Sequence, residues 1–341
     1  MSPSLVEALC RSYTVAGQSV TFACWDGDIA GRVARLISGW HFAARPDDPA
    51  DPFTIELSRD DAPPMPGGPA AFAVHHGQCF AEDGLWYLAT SDSLMRVHPL
   101  ALRKVEVWIG AETLRSSTAF ARLLFYATQA ALRQCGLYEL HAAAVVPPAH
   151  DGGARSAGIL IIGESGIGKT TLAMRLSAAG WSNVADDLVL IRDGPPASEA
   201  FAFRRVFAAS EKTLEACPPP GLEEATREPN AFEPSKRRLD PEVLFPGRFA
   251  ASCIPRVLMF PVMTGRERTE IRPMAAADAL TRLLKMCPWA SYDAAVARPH
   301  LNALASLARQ CDSYGLLAGT DLLHDAGAAP ALFAPLAAGE R

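Results

Sequence analysis

The sequence predicts an α/β protein that joins an N-terminal, mainly β region to a strand, loop, helix and strand core. Three observations carry that expectation. From Gly158 to Ile191 the run GILIIGESGIGKTTLAMRLSAAGWSNVADDLVLI sets an apolar strand before a glycine loop, an amphipathic helix after it and a second strand beyond. Short segments of alternating polarity fill the chain before residue 110. Between Ala111 and Gln134 the apolar period lengthens to that of a helix. The expected division is a β region over 1–110, for recognition or packing, a connecting helix over 111–136 and a core over 137–341.

Taken in order, the strands are SVTFACWDGD, then PFTIELS, in which Phe53, Ile55 and Leu57 alternate with Thr54 and Glu56. AAFAVHH, GLWYLAT and KVEVWIG follow, the last with Val105, Val107 and Ile109 on one face. DAPPMPGGP is a loop inside this region. In the helix, Phe120, Leu123, Leu124, Ala127 and Ala131 share a face, and Gly136 is placed to end it. YELHAAAVV is a strand, PPAHDGGARS a polar loop, and GILIIG, the helix Lys169 to Ala179 and NVADDLVLI compose a parallel α/β unit. CPPPGLEEATREPNAFEPSKRRLDPEVLFPG reads as a long exposed loop, because proline and charge crowd it. The strand RVLMFPV, a helix from Met274 to Met286 with a Leu280, Leu283 and Leu284 stripe, and a helix around His300 to Arg309 close the chain.

With 341 residues and 49% hydrophobic content, the chain can bury a sizeable core. Its net charge of -5 leaves no electrostatic footprint for duplex nucleic acid. The eight cysteines are scattered, without a C-x-x-C pair or zinc-ligand spacing, as reduced thiols would be. MSPSLVEALCRSYTVAG lacks the basic head and apolar run of a signal peptide, and no stretch approaches the roughly 20 apolar residues of a membrane helix. A cytoplasmic protein with neither nucleic-acid nor membrane partner is expected.

Chemistry concentrates after Ile162. Gly163, Glu164, Ser165, Gly166, Ile167, Gly168, Lys169 and Thr170 satisfy G-x-x-x-x-G-K-[ST], the pattern of a phosphate-binding loop, with Thr171 next. Glycines let backbone N–H groups turn in around an anion, Lys169 reaches the terminal phosphates, and Thr170 offers a hydroxyl to Mg²⁺. Asp186 and Asp187, at the end of the next strand, suit a Mg²⁺-nucleotide site in which one carboxylate holds metal and the other accepts a proton. His141 reads either as a satisfied structural residue or as a group that tunes a neighbouring carboxylate. The triplet Lys236, Arg237 and Arg238 reads equally as a solvated charge run or as a clamp on phosphate or an acidic peptide. Arg248 and Arg256 are lesser candidates of the same kind.

LHAAAV and the run from Gly158 to Ile191 together resemble the catalytic core of the HPr kinase/phosphorylase family. The resemblance spans about Leu140 to Ile191 and implies a P-loop kinase core of the HPr kinase / phosphoenolpyruvate carboxykinase type. It implies that Asp186 is the base that deprotonates an acceptor serine, with His141 in support, and that Asp187 and Thr170 serve the metal. Thr171 stands where that family carries a glutamate, and its phosphorylase signature is missing downstream, so the resemblance extends to the kinase half. ATP and Mg²⁺ are the implied cofactors. The implied acceptor is a serine of a peptide or small protein, as in kinases that tailor lasso-peptide precursors, and the family also implies a homo-oligomer. Free serine or another small molecule as acceptor, or a regulatory ATPase that switches shape without transfer, are the competing readings.

Overall fold

The computed structural model describes residues 9–45, 51–59, 62–74, 77–148, 156–226, 232–287 and 295–339. The first eight residues, His75 and His76, most of PPAHDGGARS and residues 227–231 lie outside them. The chain divides into two compact units, Met1–Leu137 with Ser291–Ala297, and Tyr138–Ala290 with Arg298–Arg341.

In the first unit nine strands form one sheet, in the order Ala43–Arg45, Leu9–Val15, Gln18–Cys24, Phe53–Ser58, Lys104–Trp108, Leu94–Val97, Leu85–Ala89, Gly77–Glu82 and Phe72–Val74. Its pairings are antiparallel except at Phe53–Ser58, which runs parallel to both neighbours. A parallel neighbour needs a crossover, and a helix absent from the sequence expectation supplies one. Asp26 ends the strand of SVTFACWDGD early and caps Gly27–Ile37, its carboxylate accepting from the N–H groups of Asp28 and Ile29. Phe53, Ile55 and Leu57 are buried as their alternation requires.

The single helix expected over 111–134 is instead a pair, Ala111–Arg115 and Ser117–Gln134. Ser116 is extended between them, and its hydroxyl caps the second helix by accepting from Ala119 N–H at 3.2 Å. The longer helix packs against Lys104–Trp108 and Phe53–Ser58. It stops where Gly136 adopts φ +75°, with Leu137 N–H bonded to the Leu132 carbonyl.

The second unit is a mixed α/β layer structure, in place of the parallel unit expected. Ala157–Ile162 and Ser182–Ala185 both pair antiparallel with Ala142–Val146, which lies between them. On its other side Ala157–Ile162 runs parallel to the long strand Ser252–Met263, itself parallel to Asp312–Ala318. Ile159 and Ile161 face a core shared with Leu172, Leu176 and Phe333, while Leu160 and Ile162 face one shared with Leu283, Leu304 and Leu307. Burial on both faces explains why this strand is apolar without alternation.

Two segments expected as single strands are each broken. YELHAAAVV divides at His141 into Tyr138–Leu140 and Ala142–Val146, and NVADDLVLI divides after Ala185 into Ser182–Ala185 and Val189–Arg192. Tyr138–Leu140 pairs with Val189–Arg192, whereas Ala142–Val146 pairs with Ser182–Ala185. Both chains therefore leave one part of the sheet and enter another at the same level, and those crossings hold His141, Asp186 and Asp187.

The proline-rich segment carries structure of its own. Leu222–Ala225 and Pro241–Leu244 are short helices, and Lys236–Leu239 is a strand paired with Phe207–Ser210. Ala225, Leu239 and Leu244 anchor it in the core, so its charges mark a surface and not an unstructured loop. In helix Ala276–Met286 the buried residues are Ala279 and Leu283, and Leu284 turns outward. Among the described residues no helix is long and apolar enough to cross a membrane.

Candidate active site

The glycine loop follows a strand paired on both edges and opens a helix whose residues are mostly buried. Gly166 and Gly168 adopt φ +86° and +94°, conformations that a side chain would strain. At Gly163 a Cβ would meet Ile167 Cγ2 at 3.0 Å, so the loop folds onto its own isoleucine. Helix Lys169–Ala178 starts directly behind Gly168.

Lys169 is buried and its ammonium turns back over the loop. It donates to the carbonyls of Gly163 at 2.7 Å and Glu164 at 2.9 Å, and lies 3.1 Å from His141 Nε2. A charged lysine has no lone pair, so Nε2 is the acceptor and the ring proton sits on Nδ1. That nitrogen faces Asp187 Oδ1 at 3.3 Å. Burial, against the attraction of Asp187, holds the imidazole below its ordinary pKa, which agrees with a neutral ring.

The adjacent aspartates are driven in opposite directions. Asp186 is only 3% exposed, and Ala208 N–H donates to its Oδ2 at 2.9 Å. Its Oδ1 is buried without a hydrogen-bond partner. Burial raises its pKa from 3.8 to about 7, with the Asp187 charge adding to the rise and the Ala208 N–H, the Thr170 hydroxyl and the Lys169 charge opposing it. For Asp187, burial pushes the same way but is outweighed by His141, Arg204, Lys169 and Lys236, and its pKa falls. Its side chain keeps 37% of its surface exposed.

A cavity of about 240 Å³ is walled by Lys169, Thr170, Asp187, Lys212, Lys236 and Met263, among others. Ser165, Gly166 and Gly168 contribute the loop side. Thr171 also lines the cavity, donating to Thr213 Oγ1 at 3.3 Å. The basic triplet splits, because neighbours on a strand face opposite ways. Lys236 reaches the loop, donating to Ser165 Oγ at 3.2 Å and pairing with Glu233. Arg237 turns to Glu211 at 2.8 Å. Arg238 is opposite Ala208 in the ladder. Arg248 bonds the Gly180 carbonyl and Arg256 is exposed on its strand, both apart from the cavity.

Sequence reasoning missed Arg204. Its guanidinium lies 4.0 Å from Asp187 Oδ2 and 4.0 Å from the centre of the Phe232 ring. The available signal was an arginine pair inside the apolar run AFAFRRVFAA, where a charge must find a partner. Lys212 was missed because nothing local distinguishes it from a solvated lysine.

Thr170 and Asp187 offer hard oxygen donors, and Asp187 is held ionised as a metal ligand must be. Among the described residues no group of three or more His, Cys, Asp or Glu side chains is placed to hold a metal alone. The donor set therefore fits Mg²⁺, which takes one or two protein ligands and completes its shell with phosphate and water oxygens.

No family model matches the chain, and no curated protein sequence matches it. Among solved structures it is similar to the HPr(Ser) kinase/phosphatase from Coxiella burnetii, at 16% identity and a TM-score of 0.25, over 39% of this chain and 70% of that one.

Proposed function

We propose that the protein is an ATP-dependent kinase that transfers the γ-phosphoryl group to a serine hydroxyl of a peptide or small protein, with Asp186 as the general base. One observation carries the reading: two adjacent carboxyls beside the glycine loop stand in opposite environments, Asp186 buried with one oxygen unpartnered, which raises its proton affinity, and Asp187 facing His141 and Arg204, which lower it. Environments that push paired groups apart mark an acid–base assignment.

The phosphates lie along the Gly163–Thr170 backbone, where Lys169 releases the loop carbonyls and meets their charge. Thr170 and Asp187 would hold Mg²⁺, which would supply charge neutralisation for the transferring group. The acceptor hydroxyl enters beside Asp187. Its oxygen bonds to the γ-phosphorus, the bond to the β–γ bridging oxygen breaks to leave ADP, and the proton passes to Asp186 Oδ1. His141 keeps Asp187 oriented through the Nδ1 contact. Serine, ahead of other hydroxyl acceptors, rests on the sequence resemblance, as does a ribosomal natural-product precursor as the peptide.

The test is transfer of labelled γ-phosphate from MgATP into a pool of cytosolic peptides by wild type and Asp186→Asn. A phosphoserine peptide formed by wild type alone supports the assignment. Release of free phosphate at equal rates by both, with no labelled peptide, replaces it with a regulatory ATPase.

A further inference from the structure

The turn that delivers Lys236 to the glycine loop also delivers a carboxylate. Glu233, Pro234, Ser235 and Lys236 form a reverse turn, closed by the Lys236 N–H on the Glu233 carbonyl at 3.0 Å. Proline at the second position of a turn presets its backbone angle, so the local sequence builds the bend. The bend brings its first and last side chains together, and Glu233 pairs with Lys236. Phe232, just before it, lies with its ring centre 4.0 Å from the Arg204 guanidinium.

Both charges meet the same atom of the loop. Ser165 Oγ donates to Glu233 Oε1 at 3.4 Å and accepts from Lys236 Nζ at 3.2 Å. Ser165 and Lys236 are walls of the cavity beside the glycine loop. Lys169 and Arg204 also feel the Glu233 carboxylate as an attraction. A hydroxyl donor and an ammonium on one anionic oxygen pair are the contacts that a phosphate takes at such a loop. Glu233 therefore occupies groups that a nucleotide needs.

The two partners are not held equally. Lys236 opens the strand Lys236–Leu239, which pairs with Phe207–Ser210 and is rooted by the buried Leu239. Glu233 precedes that ladder, and its side chain is 41% exposed against 20% for Lys236. An ion pair this open to water is weak, so an arriving phosphate separates it at little cost. Lys236 stays on its strand and the carboxylate turns to solvent.

We propose that Glu233 is a placeholder for a nucleotide phosphate, an autoinhibitory contact whose carboxylate holds Ser165 and Lys236 until MgATP displaces it. The inference rests on the reading of the glycine loop as a nucleotide site. It is tested by calorimetric titration of the full chain with MgATP, comparing wild type, Glu233→Gln and Glu270→Gln. Glu270 is also an exposed glutamate paired to a cation, Arg272, but lies outside the cavity wall, so its variant removes the same charge elsewhere. Glu233→Gln tightens MgATP by about fivefold or more, the gain from freeing one lysine and removing one like charge, and Glu270→Gln changes it less than about twofold. Glu233→Ala moves affinity in the same direction, and thermal unfolding verifies that each variant folds. Unchanged or weaker MgATP binding in the folded Glu233 variants overturns the proposal, the weaker case making Glu233 a support for Lys236. Equal tightening by Glu270→Gln overturns it too, in favour of net charge. Absence of MgATP binding at millimolar concentration in wild type and all variants is a different failure, that of the nucleotide reading itself, and the placeholder falls with it.

Discussion

Two clusters in this protein use the same side-chain types to opposite ends. In the first unit, Glu106 Oε2 is 2.6 Å from His98 Nε2 and accepts from Arg96, while Oε1 meets Lys104 at 3.1 Å. Burial raises its pKa, but the hydrogen bonds from His98, Arg96 and Lys104 outweigh that and hold it at about 2. In the second unit, Asp186 and Asp187 also stand among lysine, histidine and arginine, yet one oxygen of Asp186 has no partner and its pKa rises to about 7. The Glu106 cluster is assembled by ladder register, Arg96 and Glu56 each opposite Glu106. The aspartates sit where two strands cross between parts of a sheet, and no ladder supplies their partners. Satisfied charge is structure, and charge left short of partners marks the place where chemistry is held ready.

The comparison is tested hardest by rate. Asp186→Asn should lower phosphoryl transfer about 10²- to 10⁴-fold with nucleotide affinity kept, the usual loss for a positioned base. Glu106→Gln should leave transfer unchanged, and steady-state kinetics of the pair would break the contrast if both fell together. His141→Ala should cost about 10- to 100-fold, since it orients Asp187 from behind.

Stability should separate the clusters with opposite signs. Glu106 is held below its unfolded value, so its contribution is present above about pH 4.5 and is lost as pH falls toward 2. Glu106→Gln should therefore cost about 1–3 kcal/mol at neutral pH in a denaturant melt. Asp186 is held above its unfolded value, so its contribution is full below 3.8 and declines as pH rises through about 7. Asp186→Asn should flatten that decline and leave the protein more stable than wild type at pH 8. A steeper decline in the variant would remove the strained carboxyl from the account.

The smallest effects sharpen the site's edge. Lys236→Ala should weaken nucleotide binding by about tenfold, as loss of one phosphate-facing charge does. Arg237→Ala, one residue on and paired to Glu211, should change it less than about twofold.

What could be read in advance follows from distance along the chain. The glycine loop, its helix and the Gly136 stop are local patterns, and the structure holds them where the sequence placed them. The Gly27–Ile37 helix was legible in principle, with Asp26 as cap and Ile29, Val33 and Ile37 at helical spacing, but the apolar run before it hid the change of period. A carboxylate partner for His141 was one of its two sequence readings, and the resemblance made it Asp186; that it is Asp187 was not legible, because strand breaks that depend on pairing across the sheet bring the two together. For Arg204 the apolar run around it signalled a buried charge, but its partner, Asp187, is set by packing between distant segments.

The most direct measurement is a pH titration of carboxyl ¹³C resonances in the full chain labelled at aspartate, with Asp186→Asn and Asp187→Asn providing the assignments. The account predicts that Asp186 titrates near 7 while Asp187 stays ionised through that range. Two carboxyls titrating together near 4 would contradict it, and with it the division of labour at the site.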